Sequence, residues 1–190
     1  MSEITIRQID QARKEDIRLP NQPFTIWGRM VPSLDHGQWN YTIEKFPQTS
    51  QDCFPNENYD LNAPGTLFLG AYQAEKCVGL AVLRTGMQKY LYLDDLKVNR
   101  ACRGQGIGGQ LIQACLQVAK KRQLQGMYTI GQDTNLSACL FYLKQGFEIG
   151  GFDNRVYGGT SQEKAADIYF YQDIYHILRL ILVLGHLLLH

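Results

Sequence analysis

The sequence predicts an α+β fold of mixed α/β layers, and three features carry that reading. Thr66–Gln73, Cys77–Thr85 and Tyr90–Val98 read as strands at hairpin spacing, the first pair turning at Ala74-Glu75-Lys76. A glycine-rich turn then opens an amphipathic helix that runs to about Leu124. After it come a strand at Gly126–Gln132, a helix from Asn135 to Gly146, and closing strands at Phe147–Tyr157 and Ala165–Tyr171. Antiparallel hairpins followed by alternating strands and helices imply helices layered on a sheet.

Upstream, residues 3–9 alternate through Ile4-Thr5-Ile6-Arg7-Gln8-Ile9 as a first strand. Phe24 to Val31 and Gln38 to Phe46 are two more, parted by Pro32-Ser33-Leu34-Asp35. Residues 47–65 carry Pro47, Pro55 and Pro64 among polar residues and read as a surface loop. Gly146 is placed to end its helix in the left-handed conformation. The length of 190 residues fits one domain over 1–172, followed by an apolar tail at 173–190. As a helix, Ile174–Leu189 would span about 24 Å, short of the roughly 30 Å hydrocarbon core. No stable membrane span is expected. The tail either docks on the domain or a partner subunit, leaving a homodimer open, or is a non-native terminus.

Hydrophobic residues make up 45% and charged residues 19%, and a formal net charge of +1 implies no nucleic-acid partner. The charge is uneven. Between Leu96 and Gln132 there is no acid, yet Lys97, Arg100, Arg103, Lys120, Lys121 and Arg122 all fall there. The five cysteines (53, 77, 102, 115 and 139) include no C-x-x-C pair, which argues against a disulfide framework or a metal site. With no signal peptide at the start, the expected compartment is cytoplasmic. Cys115 and Cys139 read as small core residues.

The most informative stretch is Arg103-Gly104-Gln105-Gly106-Ile107-Gly108-Gly109. Four glycines in six positions let a ligand approach the backbone N–H groups, and the helix that follows adds its positive dipole end. That combination is an anion site. The stretch matches the dinucleotide fingerprint G-x-G-x-x-G literally, but that motif needs an acid about 20 residues on. None occurs before Asp133, and the preceding strand belongs to an antiparallel run. A P-loop is excluded because Gly109 is followed by Gln110-Leu111 and not by Lys-Ser/Thr.

Arg103, Gly106 and Gly108 instead resemble the R-x-x-G-x-G/A signature by which GNAT acetyltransferases hold acyl-CoA. A second block, Asn135-Leu136-Ser137-Ala138-Cys139-Leu140-Phe141-Tyr142-Leu143-Lys144-Gln145-Gly146-Phe147, is similar to that family's N-x-x-A-x-x-x-Y-x-x-x-G-F. The resemblance covers roughly residues 66–160 and implies a mostly antiparallel twisted sheet flanked by helices. Within the family, Pro23–Pro32, Trp39, Tyr92–Val98, Gln132–Asn135 and Gly150–Asp153 resemble streptothricin acetyltransferases. Ile130-Gly131 stands where that group often has an acid.

The resemblance implies acetyl-CoA as cofactor and a small cationic amine, streptothricin through its β-lysine moiety, as acceptor, the alternatives being a protein or other small-molecule amine, or a non-catalytic CoA-binding module. Amides from Arg103 through Gly104, Gln105, Gly106, Ile107, Gly108 and Gly109 would hold the pyrophosphate. Leu96, Lys97 and Val98 would offer main-chain groups to the pantetheine arm, the Val98 amide polarising the thioester carbonyl. Asn135 and Ala138 would contact pantetheine, and Tyr142 would protonate the departing thiolate. Asn135, Ala138 and Tyr142 share one helix face by their spacing. His36, the one histidine before the tail, has no Ser or Cys partner in the sequence, so direct attack by the amine is simpler than a covalent enzyme intermediate. Asp94 and Asp95 are consecutive on a strand, and alternation sends them to opposite faces. One of them is expected to serve the acceptor as binder or base; the sequence leaves open which. Trp27, Tyr41, Asp153 and Glu163 are further acceptor-side residues by resemblance alone.

Overall fold

The computed structural model describes residues 3–174, so the predicted tail at 174–189 lies, but for Ile174, outside the described residues. Strands β1 (Ile4–Gln8), β2 (Phe24–Asp35), β3 (Gln38–Asp52), β4 (Thr66–Gln73), β5 (Lys76–Thr85) and β6 (Tyr90–Val98) come first. They are followed by α1 (Ile107–Lys121), β7 (Gly126–Gln132), α2 (Leu136–Lys144), β8 (Glu148–Asp153) and β9 (Asp167–Asp173). The main sheet has the order β1-β4-β5-β6-β7-β9-β8, and β2 with β3 forms a separate hairpin. Every neighbouring pair is antiparallel except β6 with β7, which α1 joins by a crossover.

Alternation along the strands divides the core. Leu69, Leu83, Leu93 and Phe170 pack with Leu111 of α1 and Cys139 of α2 on one face. Phe68, Leu80 and Val82 meet Ile9 and Ile17 on the other, beneath a 3-10 stretch at Gln11–Arg18. Cys115 and Cys139 are fully buried, as their apolar settings in the sequence predict.

The hairpin departs from the sequence reading. β3 runs six residues into the segment predicted as loop, through Pro47. Pro47 is tolerated because pairing jumps from Ile26↔Ser50 to Gly28↔Lys45, so the proline sits in the irregularity and owes no ladder bond. β8 stops at Asp153, four residues earlier than predicted, because the Asp153 carboxylate turns back to accept from the Arg155 and Val156 amides. Gly146, at φ +92°, ends α2 as expected.

Candidate active site: the fork between β6 and β7

The parallel β6–β7 ladder is short. It pairs only Tyr90–Leu93 with Gly126–Thr129. Beyond that point β6 continues against β5 to Val98, while β7 continues against β9 to Gln132. The two strands part, and Thr129 Oγ1 closes the crotch by donating to the Leu93 carbonyl at 2.8 Å.

Backbone groups face this opening. Asn99 N–H donates to Val78 O at 2.8 Å, which fixes the phase of the β5–β6 ladder. Hydrogen-bonded and non-bonded pairs alternate, so Lys97 and Asp95 exchange bonds with β5. Leu96 and Val98 therefore turn their N–H and C=O groups to the fork. Lys97 does not: its main chain is paired with β5, and its side chain lies against Asp95 and the Tyr59 ring.

At the head of the fork the register shifts from Val82↔Asp95 to Leu83↔Leu93, leaving Asp94 as a bulged extra residue. The expected alternation of the two aspartates is lost. Asp94 Oδ2 accepts from Arg84 Nε at 2.6 Å, and Asp95 Oδ2 accepts from Lys97 Nζ at 2.8 Å and from the Tyr59 hydroxyl at 3.0 Å. Arg84 and Val82 share a strand face by their spacing, so both carboxylates lie on the face away from the helices, not on opposite faces. Their surroundings differ. The two carboxylates are equally covered, at 21% and 20% exposed, but Arg84 beside Asp94 is 46% exposed and Lys97 beside Asp95 only 10%.

The glycine turn borders the fork. Gly104 and Gly106 adopt φ of +77° and +79°, a left-handed conformation that a Cβ makes costly. Helix α1 has no side-chain N-cap, and its first helical bond is Gln110 N–H to Gly106 O at 3.1 Å. The amides of Ile107, Gly108 and Gly109 are left without intrahelical acceptors. Gly108 and Gly109 serve packing as well: a Cβ there would lie 3.0 Å from the Phe141 ring and 2.8 Å from Gln145 Oε1. Arg103 Nε donates to Val98 O at 3.1 Å and Nη1 to Pro23 O at 3.3 Å, so its charge sits docked beside the turn.

On α2, Asn135 occupies the N-cap position without a side-chain cap bond. Tyr142 is 8% exposed, and its ring packs against Phe141, Phe147 and Phe170. Burial pushes its pKa well above the ordinary tyrosine value, although its hydrogen bond with Thr129 works in the opposite direction. Its hydroxyl thus meets Thr129, whose own hydroxyl marks the crotch.

The remaining acceptor-side residues are scattered. Trp27 Nε1 donates to Ser137 Oγ at 3.0 Å, docking β2 on the first turn of α2. Asp153 sits opposite Asp167 of β9. Tyr41 is 42% exposed on β3, and Glu163 is exposed in a turn.

Sequence reasoning missed part of this face. Tyr92, Tyr128 and Tyr171 stack across β6, β7 and β9 with centroid separations of 4.8 and 5.5 Å. Asp167 accepts from the Tyr157 hydroxyl at 2.8 Å, and burial raises its carboxyl pKa. Tyrosines at every second position, 90 and 92 then 169 and 171, were the available signal. In the sequence Asp133 stands out only as the first acid after the glycine turn and as part of the Gln132–Asn135 block. It is 3% exposed and joins three segments: its amide donates to Ala166 O, its carbonyl accepts from Met30 N–H, and its carboxylate accepts from Ala166 N–H. Among the described residues no group of three or more His, Cys, Asp or Glu is placed to hold a metal ion.

This is the arrangement of an acyl-CoA acetyltransferase, and a family model agrees. Residues 31–147 match the acetyltransferase (GNAT) family, and the chain belongs to that family, whose enzymes use acetyl-CoA. Streptothricin acetyltransferase A of Bacillus subtilis is 28% identical over 169 residues, covering 87% of this chain and 98% of the relative. A streptothricin acetyltransferase of Escherichia coli is 32% identical over 84 residues, covering 44% of this chain and 48% of that protein. Among solved structures, a Bacillus anthracis protein assigned as a streptothricin acetyltransferase, in complex with acetyl coenzyme A, superposes with a TM-score of 0.83. It is 28% identical and covers 90% of this chain and 100% of that one.

Proposed function

We propose that this enzyme transfers the acetyl group of acetyl-CoA directly to an amine of a small cationic acceptor, streptothricin being the favoured one. The observation that carries the donor half is the fork, with the main-chain groups of Leu96 and the Val98 amide turned into it beside the uncapped start of α1. The amides of Ile107, Gly108 and Gly109 hold the pyrophosphate, and Arg103 adds positive charge from its docked position. Pantetheine lies along β6 like an added strand. The Val98 amide polarises the thioester carbonyl.

The acceptor nitrogen attacks the carbonyl carbon with its lone pair. The C–N bond forms as the C–S bond breaks, Tyr142 gives its phenolic proton to the departing thiolate, and the proton shed by the new amide nitrogen restores the phenol. Asp94, bulged out beside an exposed arginine, binds the incoming ammonium and takes its proton directly or through water. Both aspartates are ion-paired, but the Arg84 partner of Asp94 is half-exposed and can yield to an incoming ammonium, whereas the Lys97 partner of Asp95 is nearly buried. The tyrosine face with Asp167 and Asp153 gives a cationic acceptor an anionic, aromatic-lined surface. The streptothricin reading is supported by the name of the Bacillus subtilis relative, which this chain matches over nearly its full length.

The test is thiol release from acetyl-CoA across streptothricin, aminoglycosides, polyamines and peptides. Release with streptothricin at much the highest kcat/KM is expected. Preference for another amine refutes the streptothricin reading; no release with any amine refutes the transferase mechanism.

A further inference from the structure

Between the 3-10 stretch and β2, the chain crosses the end of the fork through Asn21, Gln22 and Pro23. Each of these residues makes a contact with a different part of the donor side. Lys97 Nζ donates to Asn21 Oδ1 at 3.1 Å, and Asn21 is itself anchored, its amide to Asn56 Oδ1 and its Nδ2 to Pro55 O, both at 2.7 Å. The Arg100 amide donates to Gln22 Oε1, just before the glycine turn. Arg103 Nη1 donates to Pro23 O at 3.3 Å while its Nε holds Val98 O at 3.1 Å. The next residue, Phe24, starts β2. That strand carries Trp27, docked on Ser137 of α2, and Met30, docked on Asp133.

We infer that Asn21 and Gln22 are positioning residues of the transfer reaction: the strap they form sets the donor turn and couples its occupation to the β2–β3 hairpin. The physical reason is continuity. A ligand that draws in the amides after Arg103 also pulls on the two residues, Arg100 and Arg103, that hold the strap. The strap has no slack before β2, because Pro23 fixes its own φ and the hairpin follows at once. Order gained in the donor turn therefore passes into the hairpin, and a hairpin fixed by an acceptor favours the donor turn by the same factor.

Resting on the donor reading of the glycine turn, the test is a titration with coenzyme A, followed by calorimetry and by amide hydrogen exchange over residues 24–52. Coenzyme A is expected to slow exchange across the hairpin in the wild-type protein. Asn21→Ala and Gln22→Ala should each weaken coenzyme A binding by about three- to tenfold, the range for one hydrogen bond, and abolish that slowing. Gln22→Met, which keeps the bulk and removes the accepting oxygen, should behave like Gln22→Ala and guards against a folding defect. Folded variants that bind coenzyme A as tightly as wild type, or that keep the ligand-induced slowing, overturn the inference alone. A wild-type protein that does not bind coenzyme A overturns the donor reading, and the strap's role falls with it.

Discussion

Tyr142 combines a packed ring with a hydroxyl at the crotch of the fork, and the two halves of the residue can be separated by one oxygen atom. Tyr142→Phe keeps the ring contacts with Phe147 and Phe170. It should leave coenzyme A affinity intact and slow turnover by no more than the ~10²–10⁴ of general acid catalysis. Steady-state kinetics with unchanged turnover would refute the proton-donor role. Burial holds the phenol above its ordinary pKa, so kcat should show no alkaline limb from this residue through the neutral range. The two aspartates should part company in the same assay. Asp94→Asn lowers kcat/KM for the acceptor with coenzyme A affinity kept. Asp95→Ala instead strips the counter-charge from a 10%-exposed Lys97 and the acceptor from Tyr59, costing about 1–3 kcal/mol in urea unfolding. At this scale the sequence showed the candidates but misjudged their geometry. Alternation placed Asp94 and Asp95 on opposite faces, and a single bulged residue cancelled that rule. A bulge is set by pairing with β5, which the residues of β6 do not encode locally.

Among the elements, the glycine turn and α2 were the most legible, because both depend on local chemistry: left-handed φ values at Gly104 and Gly106, and helical spacing from Asn135 to Tyr142. Gly106→Ala finds open space but a left-handed backbone, so about 1–2 kcal/mol of stability should be lost with no steric clash. Gly108→Val has the opposite problem, pushing into Phe141 from a compatible backbone. Its expected signature is weakened coenzyme A binding from displacement of α1 against α2, measured by calorimetry; unaltered binding would show that this packing does not set the amides. The less legible elements depend on distant partners. β3 extends through Pro47 because β2 stays beside it across an irregularity, and the fork exists because β6 and β7 each keep another neighbour. Neither fact is a property of the strand's own residues.

For the whole molecule, hairpin spacing followed by β–α–β alternation was enough to reach the fold class, since it is a pattern of element order. The tyrosine face was not legible, because it is assembled from β6, β7 and β9, which are separated by whole helices in the chain. The buried thiols supply a global prediction. Burial pushes Cys77 up to about 11 and Cys115 and Cys139 up to about 12. Unfolded thiols titrate near ~8.5, so above that pH the unfolded chain releases protons that the folded chain retains. Stability should be full below about pH 8.5 and fall as pH rises toward these folded values, by at most about 1.4 kcal/mol per pH unit for each thiol. Urea midpoints at pH 7.5 and pH 10 check it, and equal midpoints would contradict the burial.

The central claim is that a thioester seated in the fork gives its acetyl group straight to an amine on the tyrosine side of the sheet. The most direct measurement is mass spectrometry of streptothricin after incubation with the enzyme and acetyl-CoA, with the modified nitrogen located by fragmentation. A single added acetyl group on a β-lysine amine, matched one for one by released coenzyme A thiol, is the predicted result. Unmodified streptothricin, or acetyl-CoA consumed with no acetylated amine, would contradict it.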